Sequence, residues 1–218
     1  MSEIYSTHHR QLQDERNTRN LADRVQQIII EHQVSEQHQS FIESRDFFFL
    51  TTIDHRGYPT CSYKGGNPGV VRVVDQQTLA FPSYDGNGMF FSMGNIQGNP
   101  KIGMLFIDFE TPHRVRVHGE ARILPDDPLL AEYPEADMIV RVSVTEIFFN
   151  CPRYIHQMSR VKSSKYVPQA GGETPEPQWK RIDAVQDALP PCDADVAARM
   201  GGTITPDEYG MLVIKGEG

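Results

Sequence analysis

An antiparallel β fold, either a barrel or a sandwich, with a helical segment ahead of it is what this sequence predicts. Three observations carry that expectation. Six or so apolar, β-branched segments follow one another through short connections. Glycine, proline, asparagine and aspartate cluster between those segments. The stretch from about Thr7 to Arg45 is free of glycine and proline. A doubly wound parallel sheet would instead place a helical crossover between successive strands.

The elements follow in order. In the Gln-, Glu-, Arg- and His-rich N-terminal segment, Leu12, Leu21, Val25, Ile28 and Ile29 recur at helical spacing, which predicts an amphipathic helix with one apolar stripe. Ser35 reads as the N-cap of a second, short helix that buries Phe41 and Ile42. Phe47 to Ile53 is a strand closed by the turn Asp54-His55-Arg56-Gly57, and the extended segment beyond it makes a hairpin. "VVRVVD" and "TLAFP" predict a second hairpin across Asp75-Gln76-Gln77. "KIGMLFID", "HRVRVHGEARIL" and "MIVRVSVTEIFFN" extend the strand series. Beyond Asn150 the pattern weakens. "VPQAGGETPEP" reads as an extended connector, "DADVAARM" as a short helix, and "YGMLVIKGEG" as a further strand or an ordered tail.

Bulk properties narrow the function. At 218 residues, with 39% hydrophobic and 23% charged, the chain is long enough for one well-buried core. No apolar run approaches the roughly 20 residues of a membrane span, and the polar N-terminus has no secretory leader. A soluble, cytoplasmic protein is expected, with no membrane partner. A formal charge of −8 repels nucleic-acid backbones, so nucleic acid is not an expected partner either. Cys61, Cys151 and Cys192 are odd in number and far apart, which predicts free thiols rather than disulfides or structural zinc.

Two glycine-containing stretches hold the candidate chemistry, "SYKGG" (62–66) and "YDGNGMFFSMGN" (84–95). The second opens like a dinucleotide fingerprint but lacks its third glycine, and it has no Gly-Lys-Ser/Thr ending. What is left is a run of exposed amides at a helix start, beside the hydroxyls of Ser83, Tyr84 and Ser92. Such a run cradles a phosphate if a cation sits opposite. Lys64 is the candidate cation; strand alternation puts it on one face with Ser62, and Cys61 with Tyr63 on the other. A solvated lysine and ordinary turn glycines fit the same residues, so neither stretch is specific alone.

In "PHRVRVHGEARI", Arg114, Arg116 and His118 share one face and Val115 and Val117 the other. This is either a wet outer face or an arginine turned to an anionic ligand. Eight histidines show no convincing ligand spacing, His113 and His118 facing opposite ways, so no metal site is expected. No Gly-x-Ser-x-Gly elbow occurs, and no catalytic residue is assigned. Asp126-Asp127, between Pro125 and Pro128, read as a solvated turn.

The run from "RDFFFLTTIDHRGYPTCSYKGG" through "VVRVVDQQTLAFPSYDGNGMFFSMGN" and "KIGMLFIDFETPHRVRVHGEARI" to "NCPRYIHQ" resembles the pyridoxamine 5′-phosphate oxidase-like family of FMN-binding split barrels. The resemblance implies a mainly β fold with flanking helices: an N-terminal helical extension (1–45), an antiparallel split β-barrel (46–166) and a connector with a C-terminal tail (167–218). It implies FMN held between the two barrels of a homodimer. Lys64 and Ser83 would meet the phosphate, with Pro82 and Tyr84 beside them and Asn87, Gly88 and Met89 in the adjoining loop. Cys61, Ser62 and Tyr63 would run along the ring edge, with Arg114 near the ring and Arg116 one pleat further. Arg153 and Tyr154 would approach from the partner chain. The Arg-Lys pair of such oxidases is replaced by Gly88 and Met89, and their C-terminal Arg-x-His signature is absent. The resemblance therefore implies the flavin, and not a vitamin B6 substrate. FMN-dependent oxidoreduction of a small molecule, with a nicotinamide as one candidate reactant, is the expected function. Non-catalytic flavin binding and haem binding through His118 or His156 are the alternatives.

Overall fold

The computed structural model describes residues 4–218. The chain divides into two compact units, the first ending at Lys162 and the second running over Ser163–Gly218. In the first unit the elements are α1 (Thr7–Glu15), α2 (Arg19–Ile29), α3 (Glu36–Glu43), β1 (Phe47–Ile53), β2 (Pro59–Gly65), β3 (Arg72–Asp75), β4 (Thr78–Tyr84), α4 (Phe91–Gly98), β5 (Lys101–Asp108), β6 (His113–Leu124) and β7 (Ala136–Asn150).

Seven strands form one sheet in the order β2-β1-β5-β6-β7-β4-β3, every neighbouring pair antiparallel. The end strands β2 and β3 are not paired with each other, so the curled sheet stays open. Its concave face holds the core. Phe48, Leu50, Leu79, Phe81, Met104, Phe106, Val115, Val117 and Val142 are buried there, joined by Ile42 of α3 and by Met93 and Ile96 of α4. The helices thus close the gaps that the open sheet leaves. On β7, Val144 and Ile147 both face inward although three residues apart. A register shift against His118–Gly119 of β6 makes room for the extra Thr145. Gly119 is required at that step, because a β-carbon there would lie 2.6 Å from the Ser143 carbonyl oxygen.

The predicted N-terminal helix is two helices, separated at Asn17 in the left-handed region (φ 55°). Its apolar stripe is not core: Leu12, Leu21 and Ile28 are 61%, 63% and 69% exposed. Periodicity records which face of a helix is apolar, and it does not record what covers that face. α3 starts at Ser35 as expected and buries Ile42 fully, leaving Phe41 half-buried.

α3 also carries a fully buried histidine. His38 Nδ1 lies 2.9 Å from Ser35 Oγ and accepts from the Ser35 amide, which puts the proton of the neutral ring on Nε2. Nε2 has no partner within hydrogen-bond reach, the Glu31 carboxylate being 4.0 Å away. Burial holds the His38 pKa below its ordinary 6.5, with Glu31 pulling weakly the other way. The unfolded chain therefore takes up this proton at a higher pH than the folded one. Stability present at neutral pH is expected to fall as pH drops below about 6.5. The urea midpoint between pH 7.5 and 5 should decline more steeply for the wild type than for His38→Gln.

Two further expectations change. Asp127 is buried, caps the turn at Pro128–Glu132 by accepting from the Leu129 amide at 2.9 Å, and pairs with Arg141 at 2.5 Å. It is a structural ion pair rather than a solvated turn residue. Arg141 holds the Asp127 carboxyl below the usual carboxylate range, against the opposing effect of burial. In the second unit, α5 (Val196–Arg199) falls within "DADVAARM", and of the two expectations for "YGMLVIKGEG" the strand is not formed. Tyr209–Ile214 belong to α6 (Pro206–Ile214), started by Thr205 and Glu208 as a reciprocal cap with Pro206 in the first turn. That unit is centred on buried Val196 and Ala197, and its buried Lys180 bonds Asp193 at 2.9 Å. All three cysteines are free and exposed. Among the described residues no helix is long and apolar enough to cross a membrane.

Candidate functional site

The site is built on the edge strand β2. Its residues alternate, so Thr60, Ser62 and Lys64 turn to the concave face opposite Thr52, Leu50 and Phe48 of β1, while Cys61 and Tyr63 turn outward. Lys64 is half-buried, and burial lowers the pKa of its ammonium. Among the described residues it has no carboxylate partner. A cation drawn out of water without a counter-charge is unfavourable unless an anion joins it.

Against this strand lies the start of α4. The loop before it is exposed from Asp85 to Phe90; Asn87 Oδ1 accepts from the Met89 amide at 3.2 Å, and Gly88 adopts φ 76°. The helix begins after Phe90, itself left-handed at φ 46°. A phenylalanine in the capping position has no oxygen to accept from the first-turn amides, so those donors stay available. In the first turn, buried Ser92 meets Ser62 of β2, the two hydroxyl oxygens 3.1 Å apart. Three residues further along, Asn95 donates through Nδ2 to Thr52 Oγ1 at 3.0 Å and Thr60 Oγ1 at 3.3 Å.

The remaining predicted residues are distributed unevenly. Ser83 faces the concave side from β4, pairing with Met138. Tyr84 follows at a register shift, and Pro82 is buried on the opposite face of the sheet, paired with buried Ile139. Met89 is 66% exposed, at the tip of the loop rather than in the helix start. Arg114 and Arg116 lie on the convex face with Cys61 and Tyr63, so the sheet itself separates them from Lys64 and Ser62. On that face Phe47 stacks on Tyr63 and Phe109, with ring centroids 5.3 and 6.1 Å away, and the Arg116 guanidinium lies over Phe148 at 5.8 Å. Arg114 Nε and Asn150 Oδ1, register partners across β6 and β7, are buried and unpaired. Arg153 and Tyr154 are exposed in the segment after β7, the guanidinium 6.0 Å from the Tyr154 ring, and neither bonds to Lys64 or Arg114.

Ser92 enters the sequence reading only as one nearby hydroxyl, and Asn95 and Asn150 stand in the quoted stretches without an assigned role. The spacing of Ser92 and Asn95, three apart at the start of a helix poor in charge, was the available signal. Asn150, at the end of a strand, had none.

Residues 34–167, more than half of the chain, match the family model for pyridoxamine 5′-phosphate oxidase. The chain belongs to this family. No curated protein matches the sequence. Among solved structures it is similar to HupZ of Group A Streptococcus, with 18% identity over 58% of this chain and 99% of that one (TM-score 0.45). It is similar also to an FMN-binding protein from Syntrophomonas wolfei, with 13% identity over 65% and 97% of the two chains (TM-score 0.41). HutZ, the haem storage protein of Vibrio cholerae, is 17% identical over 53% and 93% of the two chains (TM-score 0.40). The open seven-stranded antiparallel sheet with flanking helices is the split barrel expected of the pyridoxamine 5′-phosphate oxidase family.

Proposed function

We propose that this protein binds FMN and uses it for oxidation–reduction of a small molecule. The observation that carries this reading is Lys64, a half-buried cation without a carboxylate partner among the described residues, beside the Ser62–Ser92 hydroxyl pair at an uncapped helix start. Together they match what a flavin's phosphate dianion needs: one positive charge, hydroxyl donors and free amides. Membership of the pyridoxamine 5′-phosphate oxidase family supports the same ligand. Ser83, on the concave face of β4, is the further hydroxyl donor.

The convex face supplies the complement for a tricyclic ring, with the aromatics Phe47, Tyr63 and Phe109 next to the cationic row of Arg114 and Arg116. One flavin engages both faces when a second copy of the chain contributes one of them, so the reading includes a homodimer with Arg153 and Tyr154 reaching across. Bound flavin supplies hydride and electron transfer. The chain's own part is to hold the phosphate, exclude water from the ring and place a guanidinium where reduced flavin gains negative charge.

A second reading, haem binding, has one observation in its favour. His118 Nδ1 lies 3.0 Å from Glu146 Oε2 on the convex face, the arrangement that orients a histidine whose other nitrogen ligates a metal. Gly103, its register partner on β5, leaves the surface beside the ring low. The visible spectrum of freshly purified protein, with the released chromophore identified by mass, is expected to show flavin bands that bleach on mixing with NADH or NADPH. A Soret band lost in His118→Ala would instead select haem, and flavin that never bleaches would select a non-catalytic flavin protein.

A further inference from the structure

We propose that Asn95 is a positioning residue of the phosphate seat, fixing α4 on the barrel through Thr52 and Thr60 so that Ser92 and the first-turn amides face Lys64. This rests on the FMN reading. Asn95 touches no part of the seat itself. Its amide nitrogen bridges two hydroxyls that are themselves 2.8 Å apart, Thr52 on β1 and Thr60 on β2. Those threonines are register partners, four pairs along the strands from Phe48 and Lys64 and on the same face. Asn95 lies three residues from Ser92, so both project from α4 toward the same pair of strands. The helix is therefore tied to β1 and β2 at two points, the Ser62–Ser92 hydroxyl contact and the Asn95 bridge.

Why this tie is needed follows from the rest of α4. Met93 and Ile96 are buried and hold the helix down by apolar contact, which resists separation but only weakly resists sliding or rotation. Hydrogen bonds from one amide to two fixed oxygens define a position along and around the axis. Phe90 offers no cap, and Gly94 and Gly98 supply no side chains to interlock. Asn95 is the polar side chain of α4 whose bonds cross to both β1 and β2.

The test compares FMN with riboflavin, the same ring without phosphate, by fluorescence titration of the full chain. Asn95→Leu keeps the volume and removes both bonds, while Thr52 and Thr60 still bond each other. It is expected to weaken FMN binding about fivefold, the net worth of roughly one hydrogen bond, and to leave riboflavin affinity unchanged. In a double-mutant cycle with Lys64→Met its effect should shrink, since both act on one phosphate. Thr60→Val, a milder change, should move FMN affinity the same way and carries the test if Asn95→Leu does not fold. Equal weakening of FMN and riboflavin, or an unchanged preference for FMN, overturns the positioning role while the FMN reading stands. A wild type that binds FMN no better than riboflavin overturns both.

Discussion

Replacing Lys64 with methionine is expected to weaken FMN binding tenfold or more and to leave riboflavin binding where it was. Methionine keeps most of the aliphatic stem that lines the concave face and removes the charge. Hydrogen bonds to charged groups contribute about 1.5–3 kcal/mol, and 1.4 kcal/mol is roughly a factor of ten in affinity. The variant should be no less stable than the wild type in the absence of ligand, because burial disfavours the ammonium and no described carboxylate compensates it. This opposite movement of stability and affinity distinguishes a ligand-facing lysine from a structural one. A lysine that served the fold would lower the melting temperature when removed and would change FMN and riboflavin binding together. Salt adds a second check: the FMN preference of the wild type should weaken between low and high ionic strength, whereas that of Lys64→Met should not.

Phe48→Ala is expected to have the largest effect on stability. Phe48 is fully buried on the concave face, with Phe81 edge-on at 5.0 Å and Phe106 stacked at 5.5 Å. Truncating a buried phenylalanine removes apolar burial and leaves a cavity, about 3–5 kcal/mol together. In a chain of this size that corresponds to a fall in Tm on the order of 10 °C. Its neighbour Phe47 faces the other way, is only partly buried, and stacks on Tyr63 and Phe109. Phe47→Ala should therefore cost well under half as much by thermal unfolding. Similar losses for the two variants would mean that the assignment of faces along β1 is wrong. The comparison bears on the site as well, since Phe48 is the register partner of Lys64 on the same face of the sheet.

Much of the first unit was readable without coordinates, for local reasons. β1 runs from Phe47 to Ile53 as its apolar, β-branched composition suggests, and Gly57 takes φ 86° in the turn that follows. Alternation along β6 puts Val115 and Val117 inside with the arginines outside. Ser35 caps α3 because a serine side chain satisfies a helix start wherever one occurs. The same local reading separates Ser62 and Lys64 from Cys61 and Tyr63, since strand periodicity alone decides it. Where the reading missed, a distant partner decided. Asp127 looked solvated between two prolines because its partner, Arg141 on β7, is fourteen residues away in sequence. The break between Val144 and Ile147 shows in the sequence as a lost alternation, but its cause is the pairing with Gly119.

Sequence by itself determined which segments are strands, which residues share a strand face, and that a lone lysine stands at the end of one strand and a glycine-rich loop follows the end of another. These are properties of nearest neighbours, governed by backbone sterics and by the two-residue period of a strand. Tertiary structure alone decided that Ser62 and Ser92, thirty residues apart, touch. It decided too that Asn95 bridges β1 and β2, and that Lys64 and Arg114 lie on opposite sides of one sheet. Such relations depend on the order in which strands pair and on where a helix packs, and both are settled by the burial of the whole apolar surface at once.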